Sequence, residues 1–223
     1  MPETPALGAV IFDLDGLLLD TEQMARRAFR HALEILEHPV EDDFFLSLIG
    51  RTGADSERML QDRFGARFRM DEYKRHTRAC FDRELNENGI PVKPGAHETI
   101  DWLQRQRIPF AIATSSLTDR ARYKLEVAGL HTHFQLIIGG DQVERGKPAP
   151  DIVLRAANAV GVEPTRCVVF EDSYNGLRSA HAAGAAAVMV PDLLEPDEAM
   201  SQLVRAVIRS LADAPALLED WLR

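Results

Sequence analysis

Cysteine is scarce: Cys80 and Cys167 are the only two in 223 residues. Two thiols so far apart build no disulfide framework and fit a reducing compartment. Long apolar runs are missing as well. The longest, such as 182–191, fall far below the ~20 residues needed to span a bilayer. Met1 to Gly8 carries neither the basic start nor the apolar stretch of a secretion signal, so a soluble cytoplasmic protein is expected. Positive charge is outnumbered, with 26 Lys and Arg against 35 Asp and Glu and a net charge of −9. That balance argues against nucleic acid and anionic membrane as partners, since both attract basic surfaces. It still admits a small anionic substrate, because a bound divalent cation reverses the local field. Internal repeats and low-complexity tracts are absent too. What remains is a chain with 45% hydrophobic residues, ample for a sizeable core.

Those apolar residues fall into short runs. Ala9 to Phe12 leads into Asp13-Leu14-Asp15-Gly16 and reads as a buried strand ending in a polar turn. Runs at 109–114, 135–140, 167–172 and 185–190 have the same form. None alternates strictly between apolar and polar, as expected for parallel strands covered on both faces. Helical patterns occupy 95–107, 118–129, 150–160 and 173–183, and the tail over 197–222 reads as one or two helices broken near Pro215. Alternation of this kind predicts an α/β fold, a doubly wound parallel sheet with a Rossmann-like core.

One interval departs from it. Between the first strand and Pro94 the periodicity is helical, with Leu33, Leu36, Phe44, Phe45, Leu48, Met59, Leu60, Phe64, Phe68, Tyr73 and Phe81 as the apolar positions. A structureless loop of that length is improbable. Residues 20–90 therefore read as an inserted helical domain, with 1–19 and 91–223 forming the core and joints near Leu19–Glu22 and Asn86–Pro94.

In such sheets ligands bind beyond the carboxyl ends of the strands, and there this chain places its polar residues. Asp13 and Asp15 follow the first strand, Thr114, Ser115 and Ser116 the second, and Glu171 and Asp172 the fourth; Lys147 follows the third. Clustered carboxylates repel one another unless a cation joins them, and oxygen ligands of this kind select Mg2+. With its charge neutralised, Asp13 can attack phosphorus and split a hard step into two. Asp15 would protonate the leaving oxygen and then deprotonate the attacking water. Thr114 offers a hydroxyl to the phosphoryl oxygens, and Lys147 a point charge to offset negative charge. Ser115, Glu22 and Arg51 are candidate substrate contacts. Ser116, just ahead of a helix, reads as its cap.

At these residues the sequence resembles the haloacid dehalogenase-like (HAD) hydrolase superfamily. The motifs are FDLDG at 12–16, Thr114 after an apolar strand, Lys147 in GKPAPD, and FED at 170–172 followed by SYNG. The resemblance covers essentially the whole chain and implies a helical cap domain for the insert. It implies Asp13 as nucleophile, Asp15 as acid/base and as a metal ligand through its carbonyl, Asp172 as a third ligand, and Glu171 on the metal directly or through water. DGLLLDTE, IPFAIATSS and GKPAPDIVL look like the β-phosphoglucomutase-like branch, which includes sugar-phosphate and pseudouridine-5'-phosphate phosphatases, and IPFAIATSS with VMVPD looks especially similar to the pseudouridine-phosphatase group. The mutases of that branch carry a cap histidine and a cap arginine, where this chain has Ala25 and Gly53, with Arg51 nearby.

The expectation is thus a monomeric, Mg2+-dependent phosphomonoester hydrolase acting on a small phosphorylated metabolite. Three alternatives stand beside it. A mutase would need a grip on both ends of a bisphosphate. A metal-free dehalogenase would need neither Asp15 nor the Glu171-Asp172 pair. A phosphoaspartate signalling domain would place its Asp after a middle strand and lack the insert.

Overall fold

Residues 7–49 and 53–222 are described in the structure, a computed structural model. Its centre is a parallel sheet of β1 (Ala9–Phe12), β2 (Phe110–Ala113), β3 (Ile137–Ile138), β4 (Cys167–Glu171), β5 (Ala186–Met189) and β6 (Ala206–Val207), in the order β3-β2-β1-β4-β5-β6. β1, the first strand of the chain, is one of the two central strands of the sheet. Ile11 stands opposite Ala111 of β2 on one side and Val169 of β4 on the other.

Each strand feeds two apolar layers. Val10, Phe12, Ile112, Val168, Phe170 and Val188 point into one, while Ala9, Ile11, Ala111, Val169, Ala187 and Met189 point into the other. Burial on both faces explains why these strands carry no polar alternation. The first layer is closed by α5 (Ala96–Gln106) with Ile100 and Leu103, and by α6 (Thr118–Val127) with Ala121 and Leu125. The second is closed by α7 (Asp151–Val160) and α8 (Tyr174–Ala182).

Among the described residues between β1 and α5 lie four helices: α1 (Glu22–Ile35), α2 (Asp42–Leu48), α3 (Gly53–Phe64) and α4 (Met70–Asn88). They have their own apolar centre of Phe29, Leu33, Leu36, Phe45, Leu60 and Phe68. Ion pairs fasten α1 outward, Arg26 to Asp42 of α2 and Arg27 to Glu84 of α4. The two connections to the sheet run side by side. The Asp20 N–H donates to the Pro91 carbonyl and the Lys93 N–H to the Leu18 carbonyl, both at 2.9 Å.

The tail corrects one expectation. It forms α9 (Glu198–Leu203), then the edge strand β6, then α10 (Ala214–Leu222). Pro215 does not break a helix but sits in the first turn of α10, where its missing N–H has no intrahelical partner to lose. β6 escapes a sequence reading because two half-exposed residues leave no apolar run.

Candidate active site

The carboxyl ends of β1, β2 and β4 open on one cavity of about 260 Å3. Asp13, Asp15, Thr114, Lys147, Glu171 and Asp172 all line it, with Glu22 and Ser115. Residues from separate segments meet here because the parallel register brings the strand ends level. The Asp13 N–H donates to the Phe170 carbonyl at 3.1 Å, and the Thr114 N–H to the Ile138 carbonyl at 3.0 Å. Arg51 lies outside the described residues. Gly53 opens α3, and Ala25 lies on α1.

Asp13 is almost fully buried, and Lys147 donates to its Oδ1 at 2.5 Å. The same ammonium donates to Glu171 Oε1 at 2.6 Å. Glu171 Oε2 accepts the Ser173 N–H at 2.7 Å, so both of its oxygens are engaged. Burial pushes the Asp13 carboxyl up to about 7 against the pull of Lys147, with Glu171 adding to the rise. Burial would lower the Lys147 ammonium, but the two carboxylates more than reverse this and hold it above its usual range.

Asp15 faces a different set of donors. Its Oδ1 accepts from Thr21 Oγ1 at 2.8 Å and Lys124 Nζ at 2.6 Å, and its Oδ2 from Ser116 Oγ at 2.7 Å. Burial alone would raise this carboxyl; Lys124 and the two hydroxyls keep it below its ordinary value. Ser116 is therefore not a helix cap. The cap position of α6 is Leu117, and the Thr118 N–H is taken by Asp141 at 2.7 Å.

Sequence reasoning passed over Lys124 and Thr21. A signal for Lys124 was available: with Ala121 and Leu125 it forms the i, i+3, i+4 stripe that α6 turns inward. A lysine on a buried stripe calls for a partner. Asp192, after β5, was missed too. It pairs with Lys93 at 2.7 Å, and its charge helps to raise both Glu22 and Asp172.

Asp172 is buried, and among the described residues no cation pairs with it. Burial, then the charges of Glu171 and Asp13, push its carboxyl well above the usual range. Glu22 is raised to about 7, by burial and then by Asp15. Five carboxyl groups thus line a cavity whose ammonium partners are Lys147 and Lys124. That deficit of positive charge, in an all-oxygen set, fits a hard divalent cation. Among the described residues no three of these groups yet converge on a single point.

A buried carboxylate paired with a lysine, with a second carboxylate two residues on, stands at the rim of a parallel sheet, where folds of this kind bind their ligands. The chain belongs to the haloacid dehalogenase-like hydrolase family, whose model matches residues 10–190. A phosphorylated carbohydrates phosphatase of Thermotoga maritima is 31% identical over 95% of this chain and 90% of its own. A probable pseudouridine-5'-phosphatase of Drosophila melanogaster is 35% identical over 91% and 89%. The crystal structure of CbbY from Rhodobacter sphaeroides in complex with phosphate superposes with a TM-score of 0.77 at 27% identity, over 93% of this chain and 96% of that one.

Proposed function

We propose that the protein is a Mg2+-dependent phosphomonoester hydrolase that acts on a small phosphorylated metabolite through an aspartyl phosphate on Asp13. The observation that carries this reading is the pairing of buried Asp13 with Lys147 beside an unneutralised Asp172. The phosphatase names of the relatives are consistent with it.

In the first half-reaction an Asp13 carboxylate oxygen attacks phosphorus and the ester P–O bond breaks. Asp15 gives its proton to the departing oxygen. Water then attacks phosphorus, the bond to Asp13 breaks, and Asp15 takes the water's proton. Asp13, Asp172 and the Asp15 carbonyl would hold the Mg2+, which supplies positive charge toward the carboxylates and the phosphoryl oxygens. Thr114, and the backbone N–H groups after it, would bind the phosphoryl oxygens. Lys147 orients Asp13 and offsets the charge that develops. Glu171, with both oxygens engaged, serves to fix Lys147 rather than to hold the metal.

The helices over 20–90 act as a cap, and their paired connections to the sheet act as its hinge. A second cavity of about 360 Å3 adjoins the first through Ser116, with walls from Tyr73 and Phe81 of α4 and Leu117 of the core. Among the described residues no carboxylate lines it, and its four cations are each paired, Lys124 with Asp15. Lys74 pairs with Glu57 at 2.6 Å, while Arg78 and Arg120 both pair with Asp82. Ala25, at the position where the mutases carry a cap histidine, lines this space, which favours hydrolysis over a mutase.

Phosphate release from sugar phosphates, nucleoside monophosphates including pseudouridine 5'-phosphate, and phosphoglycolate, with Mg2+ and with EDTA, tests the reading. Metal-dependent release from at least one of them supports it. Isomerisation of a sugar phosphate without net release would replace it with the mutase.

A further inference from the structure

Lys124 lies outside the four motifs, yet it is tied directly to Asp15. It extends from the inward stripe of α6, is only 7% exposed, and donates to Asp15 Oδ1 at 2.6 Å and Ser116 Oγ at 3.1 Å. The Phe81 ring of α4 covers the ammonium, 5.5 Å from the ring centroid. Ala121 and Leu125, its neighbours on the stripe, are fully buried apolar residues. An apolar side chain at 124 would suit the packing, and a buried charge is costly unless it is paired. Asp15 is the carboxylate that pairs with it.

The bonds also fix a geometry. With Ser116 on Oδ2 and Thr21 beside Lys124 on Oδ1, Asp15 accepts three donors and is pinned at both oxygens. This is an acceptor arrangement, the one required of a base that takes a proton from water. We propose that Lys124 is the positioning residue for the second half-reaction: it aims the Asp15 carboxylate at the water that attacks the Asp13 phosphoryl group. The water oxygen bonds to phosphorus, the phosphorus–Asp13 bond breaks, and the water's proton passes to Asp15. That proton is then available to the leaving group of the next turnover.

The inference rests on the acid/base role proposed for Asp15, and the two are separable with p-nitrophenyl phosphate, whose leaving group departs without protonation. The assays use the full chain with saturating Mg2+. For Lys124→Met, kcat should fall at least tenfold while kcat/KM, which covers only the steps through leaving-group departure, changes less than about threefold. A burst of nitrophenolate approaching one per enzyme should precede the slow phase. Lys124→Arg should recover part of kcat. Ser116→Ala, a smaller change on the same carboxylate, should show the same split, and decides the matter if Lys124→Met does not fold. Equal losses in kcat and kcat/KM without a burst would overturn the proposal, as would a rise in KM alone, which would make Lys124 a substrate contact. Asp15→Asn is the reference. If it shows the burst and the Lys124 and Ser116 variants do not, only this inference fails; if Asp15→Asn turns over normally, the acid/base reading fails with it.

Discussion

Gly176 and Glu171 are built around one another: a Cβ on Gly176 would stand 1.6 Å from Glu171 Oε1 and 1.9 Å from its Cδ. The start of α8 closes over the carboxylate that fixes Lys147, and only a residue without a side chain permits that approach. The Ser173 hydroxyl, which accepts the Gly176 N–H at 3.1 Å, holds the helix in that position.

Gly176→Ala should therefore act on Lys147 through Glu171. The carboxylate must swing away and release both Lys147 and the Ser173 N–H, with a stability loss of about 1–3 kcal/mol from overpacking. We expect kcat to fall at least tenfold in a protein that still folds, as followed by circular dichroism and phosphate release. Unchanged kcat would mean that Lys147 does not depend on Glu171.

A pH dependence follows from the raised carboxyls. Asp13 and Glu22 move from ordinary values of 3.8 and 4.5 to about 7, and Asp172 rises as well. The folded protein thus binds protons that the unfolded chain has lost. This contribution to stability is complete below about pH 4 and disappears as pH rises through about 7. Mg2+ offsets the repulsion among the ionised forms, so it should raise the melting temperature more at pH 8 than at pH 5.5. Thermal melts with Mg2+ and with EDTA at both pH values check this, and an equal shift at both would contradict the assignment of these residues to a cation site.

The inserted helices should depend on Phe29. Its ring centroid lies 5.3 Å from that of Phe45 and 6.1 Å from that of Tyr73, the latter pair T-shaped. Phe29→Ala should cost about 3–5 kcal/mol, read from urea denaturation. A loss under about 1 kcal/mol would show that the cluster does not hold these helices together.

Much of this was legible in the sequence, and the reasons are physical. Parallel strands buried on both faces write themselves as short apolar runs, so β1 to β5 stood out; β6, with one residue partly exposed and the other exposed, did not. Asp13, Asp15, Thr114, Lys147, Glu171 and Asp172 could be found because each follows or ends a strand, where topology gathers side chains at one rim. Lys124 was hidden because it reaches the same cavity sideways, from inside a helix whose overall pattern is charged. Ser116 was misread because a serine ahead of a helix has two uses, and local sequence cannot tell a cap from a hydroxyl aimed at a carboxylate 101 residues away in the chain.

The central claim is the covalent role of Asp13. Asp13→Asn keeps the shape of the side chain and removes its nucleophilic oxygen, so turnover should drop at least a thousandfold, by the magnitude typical of lost covalent catalysis. The most direct test is to quench the wild-type enzyme in acid during steady turnover, reduce it with borohydride, and map the peptides by mass spectrometry. An aspartyl phosphate is reduced to homoserine, and the account predicts that conversion at Asp13 and its absence without substrate. Conversion at another carboxylate, or none in an enzyme that is releasing phosphate, would contradict it.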